Sequence, residues 1–172
     1  HKPDFNAVSI QGIRDVSSVD FAYANQLGFR IKLVGVAEPG LMPRMQTCLL
    51  PLGSQLAKVN GVLNAVEFHG EPVGSVLAIG PGAGGGATSS AVLSDLIDIA
   101  TGRGGLPFGR SINTLVDANA VENCAGPDKP FYVRLMVVDQ PGVLATLTGI
   151  LQKHSISVES LLQQGRAPGN AV

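Results

Sequence analysis

Tryptophan is absent from the 172 residues, aromatics supply 5% of them and charged residues only 15%. No apolar run reaches the roughly 18 residues that a membrane-crossing helix needs, so no transmembrane helix is expected. Neither charge sign dominates: 12 Lys and Arg face 13 Asp and Glu, divided 6 and 6 up to position 86 and 6 and 7 after it. Without a basic stripe, a nucleic-acid partner has no electrostatic footprint. Cysteine is limited to Cys48 and Cys124, and histidine to His1, His69 and His154, none at ligand spacing. That excludes a disulfide framework and a zinc site, no metal is expected, and two thiols suit a reducing cytoplasm. The start, His1-Lys2-Pro3-Asp4, has no signal-peptide h-region.

What is present is a 45% hydrophobic chain punctuated by 22 Gly and 11 Pro, enough to form one ordinary domain or two small ones. Ser17-Ser18-Val19-Asp20 has capping-box spacing and opens a helix that Gly28 closes. Arg30–Ala37 and Arg44–Leu50 read as paired strands, Ser54–Val59 as one helical turn, and Asn64–His69 with Gly74–Ile79 as a second hairpin. Short turns make the sheet antiparallel or mixed. A helix follows from about Thr88, with Val92, Leu93, Leu96, Ile97, Ile99 and Ala100 on its apolar side and Gly102 at its end. Residues 101–128 are rich in Gly, Pro, Asn and Asp and read as a linker. Tyr132–Val138 then predicts a strand, Val143–His154 a helix and Ile156–Leu162 a second strand, a unit that looks cut short.

Gly80, Gly82 and Gly85 match G-x-G-x-x-G between a strand and a helix. A dinucleotide core also needs a second parallel strand with an acidic residue about 20 positions on. Here the chain continues Ala100-Thr101-Gly102-Arg103-Gly104-Gly105, and that reading fails. Two remain open: the glycines let backbone approach a ligand at a helix N-terminus, or they permit a tight turn and close packing. Asp95 and Asp98 read as a solvated helix face rather than a metal site. Lys32 alternates with Ile31 and Leu33 and reads as exposed, although a buried Lys could act as acid or base.

In order and spacing, Gln11-Gly12-Ile13, LGFRIKLVGVA (27–37), VNGVLNAV (59–66) and GPGAGG…TSSAVLSDLIDIA (80–100) resemble the substrate and dimerisation domain of homoserine dehydrogenase. Residues 131–165, FYVRLMVVDQPGVLATLTGILQKHSISVESLLQQG, resemble the first half of an ACT domain. The resemblance implies three segments: a catalytic-domain portion at 1–107 truncated at its N-terminal side, a linker at 108–128 and a partial ACT domain at 129–172. The fold class it implies is α+β, a mixed or antiparallel sheet with helices on one face, followed by a ferredoxin-like βαβ unit.

The implied activity is NAD(P)-dependent interconversion of L-homoserine and L-aspartate 4-semialdehyde, in threonine and methionine biosynthesis. No catalytic residue is expected within the chain. The acid/base Lys, the Glu and Asp around the substrate, and the Rossmann domain that mainly binds NAD(P) would all lie before His1, leaving the 172 residues inactive alone. What carries over is the glycine loop, with Gly80, Gly82, Ala83 and Gly84 facing the nicotinamide end of the cofactor. Two positions depart from the family: Ala87 stands for a usual Pro and Gln11 for a usual Glu. In the ACT half, Asp139, Gln140, Pro141, Gly142, Val143 and Leu144 form the implied effector loop, with L-threonine as the ligand. The same turn could instead simply shape the entry to a helix. A homodimer is the expected assembly. The alternative to an enzyme portion is a non-catalytic module that dimerises and senses an amino acid.

Overall fold

The computed structural model describes residues 5–39, 41–106, 109, 111–115 and 130–164. His1, Cys124, Gly165 and most of the expected linker lie outside them. After a 3-10 turn at Phe5–Ala7 come β1 (Ser9–Ile10), α1 (Ser18–Gln26), β2 (Phe29–Val36) and β3 (Arg44–Pro51). A 3-10 turn at Leu56–Lys58 leads to β4 (Leu63–Gly70), β5 (Gly74–Pro81) and α2 (Gly85–Ala100). A last 3-10 turn covers Ile112–Thr114, and α3 spans Val143–Lys153.

Two sheets form where one was expected. The first has order β1-β3-β2, with β1 parallel and β2 antiparallel to β3, in a register running from Phe29 opposite Pro51 to Val36 opposite Arg44. The second is the β4–β5 hairpin alone, from Leu63 opposite Pro81 to Gly70 opposite Gly74. The separation has a local cause. Beside β2 the loop at 59–60 is met by a side chain, Lys32 Nζ donating to the Val59 carbonyl, and not by a backbone ladder.

Helix α1 starts as its sequence dictates: Ser17 is the N-cap, and the reciprocal capping box with Asp20 is present. It lies on β2, where Ala24 and Ile31 are buried; Ala57, in the turn after β3, is the third buried apolar residue among those described. Helix α2 begins three residues earlier than expected. Its first turn includes Gly85 and Gly86, and Thr88 N–H donates to the Gly84 carbonyl at 3.1 Å to close the first hydrogen-bonded turn. Its apolar side is not covered within the chain: Val92, Leu93, Leu96, Ile97 and Ile99 are all at least half exposed, so helices do not gather on one sheet face as expected.

The β4–β5 hairpin shows why cover is missing. Cross-strand partners Val66 with Ala78 and Phe68 with Val76 share one face, and Leu63, Ala65, Leu77 and Ile79 share the other. A strand pair facing water on one side alternates apolar with polar; this one carries apolar residues on both faces, with Glu67, His69 and Ser75 gathered toward the turn end of the second. The chain presents 13656 Å² of accessible surface, where a compact monomer of its mass presents about 8000 Å².

Helix α3 forms as expected, but the strands predicted on either side of it do not. Residues 131–137 and 156–162 join no ladder, and bridging in that unit is confined to Val138 and Asp139. Without a paired neighbour among the described residues, the backbone of either segment forms no ladder.

Helices α2 and α3 end alike. In α2, Gly102 N–H donates to the Ile99 carbonyl at 3.2 Å and Arg103 N–H to the Asp98 carbonyl at 2.8 Å, with Gly102 at φ +67°. In α3, Ser155 N–H reaches the Gln152 carbonyl at 3.0 Å and Ile156 N–H the Leu151 carbonyl at 2.9 Å. There the left-handed position, φ +55°, is held by Ser155, a residue with a Cβ. Ser155→Gly therefore raises stability by about 1 kcal/mol, read as a higher urea midpoint for the unit containing α3.

Candidate functional site

The glycine loop joins β5 to α2. Gly82 N–H donates to the Val62 carbonyl at 2.9 Å, which holds the loop over the start of β4. A Cβ on Gly82 would fall 1.3 Å from Asn64 Nδ2 and 2.4 Å from its Cγ, so this glycine is where it is for close approach. Its neighbours differ. A Cβ on Gly80, Gly84, Gly85 or Gly86 would meet nothing within 4 Å, and Gly84 adopts φ +110°, a conformation that excludes ordinary side chains. The glycines thus divide by their surroundings. Gly82 serves packing, whereas Gly80 and Gly84 to Gly86 leave the loop open. No side chain caps the N-terminus of α2, so its first N–H groups face that open side. Ala83, between the two kinds of glycine, is exposed.

The 139–144 turn has the same character. Gly142 is the N-cap of α3 at φ +96°, without a side-chain cap bond. Val143 N–H reaches back to the Gln140 carbonyl at 3.5 Å, while Thr146 donates to the Gly142 carbonyl through its N–H at 3.0 Å and its Oγ1 at 3.1 Å. Asp139 makes a bridge and Pro141 starts the turn; Gln140 and Leu144 are exposed, Val143 half-buried. No hydrogen bond among the described residues joins this turn to the glycine loop.

Sequence reasoning missed the most densely bonded group in the molecule. Asp20 is the one buried charged residue among those described. Its Oδ2 accepts from Ser17 N–H and Ser17 Oγ, each at 2.7 Å, and from Arg134 NH2 at 3.4 Å. Its Oδ1 accepts from Arg134 Nε at 2.6 Å and Tyr132 OH at 2.9 Å. Burial works to raise the Asp20 pKa, but the hydrogen bonds from Ser17, Arg134 and Tyr132 outweigh it and hold the carboxyl well below the usual range. Burial, then the hydrogen bond to Asp20, pushes the Tyr132 phenol up to about 12. The bond to Asp20 raises the Arg134 pKa. A second bond, from Gln164 Nε2 to Gln26 Oε1, ties the same helix at its other end to the same unit. The available signal was the spacing of Tyr132 and Arg134, two apart and therefore on one face of an extended segment.

The isolated candidates stay isolated. Cys48 is a half-buried free thiol. His69 is largely exposed beside Glu67, at 3.5 Å, and His154 is the C-cap of α3. Asp95 and Asp98 lie on α2 in no metal-ligand group; none occurs among the described residues. No described helix is long and apolar enough to cross a membrane. Lys32, expected on an exposed face, is half-buried. Its ammonium donates to the Val59 carbonyl and to Asn60 Oδ1, the latter at 3.2 Å.

Because the folded pKa of Asp20 is depressed, its contribution to stability is complete above the unfolded carboxylate pKa of about 4 and fades as pH falls below it. Unfolding midpoints measured from pH 2 to 7 should rise steeply at the acid end and then level. In Asp20→Asn that rise is flattened, and stability at pH 7 falls by about 2 kcal/mol.

With this geometry in hand, comparison with known proteins is specific. The family model for homoserine dehydrogenase matches residues 1–97. A homoserine dehydrogenase of Pseudomonas aeruginosa is 36% identical over 171 residues, covering 93% of this chain and 39% of the relative. One from Synechocystis is 38% identical over 176 residues, covering 95% and 41%. Among solved structures, a homoserine dehydrogenase from Thiobacillus denitrificans superposes with a TM-score of 0.64 at 33% identity, over 94% of this chain and 39% of that one. The chain spans about two fifths of the length of these relatives. It belongs to the homoserine dehydrogenase family.

Proposed function

We propose that this chain supplies the substrate-side part, and part of a regulatory unit, of an enzyme that interconverts L-homoserine and L-aspartate 4-semialdehyde with NAD(P) in threonine and methionine biosynthesis in the cytoplasm. In this reading residues 1–107 are the substrate and dimerisation domain, 108–128 the linker and 129–172 an ACT portion. The observation that carries it is the open glycine loop between β5 and α2, in a segment that matches the family model.

The loop suits the nicotinamide end of a dinucleotide because glycine backbone forms most of it, with Ala83 the small exposed side chain within it. No Cβ projects from Gly80 or Gly84, none would meet an obstacle there, and the uncapped N–H groups of α2 face the same opening. Gly80, Gly82, Ala83 and Gly84 would hold that end of the cofactor, with Gly82 fixing the loop against Asn64. The bound dinucleotide supplies or accepts a hydride. The protein's part at this loop is to position the ring and to exclude side chains from its path. The loop residues Gly80 to Gly86 carry no titratable side chain, so in this reading the proton that accompanies hydride transfer would be handled elsewhere in the enzyme.

In the second unit, Asp139 to Leu144 would form the effector loop. Its support is the left-handed Gly142 and the uncapped start of α3, which offer N–H groups to a carboxylate such as that of L-threonine. Support for a homodimer comes from the β4–β5 hairpin, which carries exposed apolar residues on both faces that a second copy could cover.

The 172 residues alone should not oxidise NADPH in the presence of L-aspartate 4-semialdehyde. The complete enzyme should, and Gly84→Val in it should raise the KM for cofactor about tenfold or more while leaving the far-UV circular dichroism spectrum unchanged. Turnover by the isolated chain refutes the proposal. Titration calorimetry with L-threonine, without cofactor, separates the roles of the second unit. Saturable heat marks an amino-acid sensor, and its absence marks a unit that only completes the fold.

A further inference from the structure

β2 is an edge strand of its sheet, and Arg30 and Lys32, two apart, lie on the same face of it. A cleft of about 350 Å³ opens there, lined by Phe21 and Asn25 of α1, by Phe29, Arg30 and Lys32 of β2, and by Asn60. Two cations converge on one neutral atom: Asn60 Oδ1 accepts from Arg30 NH1 at 3.4 Å and from Lys32 Nζ at 3.2 Å. The two charges are therefore no farther apart than these two hydrogen bonds laid end to end. The other half of the amide is committed as well, Asn60 Nδ2 donating to the Lys58 carbonyl at 3.0 Å, which fixes its oxygen toward the cations.

Among the described residues, no carboxylate forms an ion pair with either cation. The ion pairs among the described residues join Glu38 to Arg44, Glu67 to His69 and Asp20 to Arg134. Charges on an edge strand commonly serve only to block pairing with another chain, but such a charge points into water. Lys32 instead turns inward, half-buried, to the Val59 carbonyl and Asn60. Two like charges held close beside the rings of Phe21 and Phe29 repel each other, and the arrangement becomes favourable when a counter-charge bridges them. The α1 wall is also held still: Asp20, next to Phe21, is fixed by Ser17, Tyr132 and Arg134.

We propose that the cleft between α1 and the free edge of β2 binds a small anion, with Arg30 and Lys32 donating to its oxygens and the phenyl rings of Phe21 and Phe29 shielding it. The size suits a phosphate or a small carboxylate rather than a whole dinucleotide. Both offer the paired oxygens that a guanidinium and an ammonium can share. No residue of the glycine loop lines this cleft, and the proposal does not depend on the reading of that loop.

The test is calorimetric titration of the 172-residue chain with inorganic phosphate and, separately, with malonate, at low and high sodium chloride. The expected result is saturable binding of at least one anion that weakens with salt; the tighter of the two identifies the source as phosphate or carboxylate. Arg30→Gln, at an exposed position, and Lys32→Met should each weaken it about tenfold or more, while Lys153→Met on α3 leaves it unchanged. Circular dichroism confirms that the variants fold. No saturable heat with either anion, or an equal loss in Lys153→Met, overturns the proposal.

Discussion

The carboxylate of Asp20 is the fixed point from which the rest of the described structure is hung. It caps the first turn of α1, and the same two oxygens receive Tyr132 and Arg134 from a segment more than 110 positions away. A buried carboxylate without partners would be strongly unfavourable, so the group is stable only when all its donors are in place. Local and distant structure therefore demand each other. The helix needs its cap, the cap is an ion, and the ion needs Arg134. With few apolar residues buried, this polar cluster and the Gln164–Gln26 bond supply much of the specificity that a larger core would supply.

Legibility in the sequence followed the range of the interactions. The capping box at Ser17 and Asp20, the closing Gly28, both hairpins and α3 were all readable, because each is decided within a few residues by turn chemistry and periodicity. The end of α1 at Gly28 was legible for a particular reason: its φ of +85° suits glycine above other residues. The expected strands at 132–138 and 156–162 failed because a strand is defined by its neighbour. Their alternation is genuine, but alternation cannot supply a partner. The contact of Arg134 with Asp20 was hard to read for the same reason: the spacing of Tyr132 and Arg134 places both on one face but does not name the carboxylate they meet.

The glycine loop shows a finer limit. Its five glycines look equivalent in sequence, yet they divide in the fold. Gly82 is confined by Asn64, Gly84 is set by its backbone angle, and Gly80, Gly85 and Gly86 stand in open space. Composition alone could not divide them. Part of the division is made by Asn64 on β4, which faces the loop only because the hairpin register sets Asn64 opposite Gly80.

The same hairpin has a consequence for how the protein comes into being. α1, β2 and β3 are neighbours in sequence and bury residues against one another, so they can form while the chain is short. β4 and β5 pair as readily, but the product is a ribbon greasy on both sides, and an isolated two-stranded ribbon is marginal in water. It is the last element to become secure and the first that a chaperone or a protease would recognise. If a second copy covers that ribbon, as proposed above, cellular abundance would depend on timely assembly, because a bare hairpin is the surface that quality control meets first.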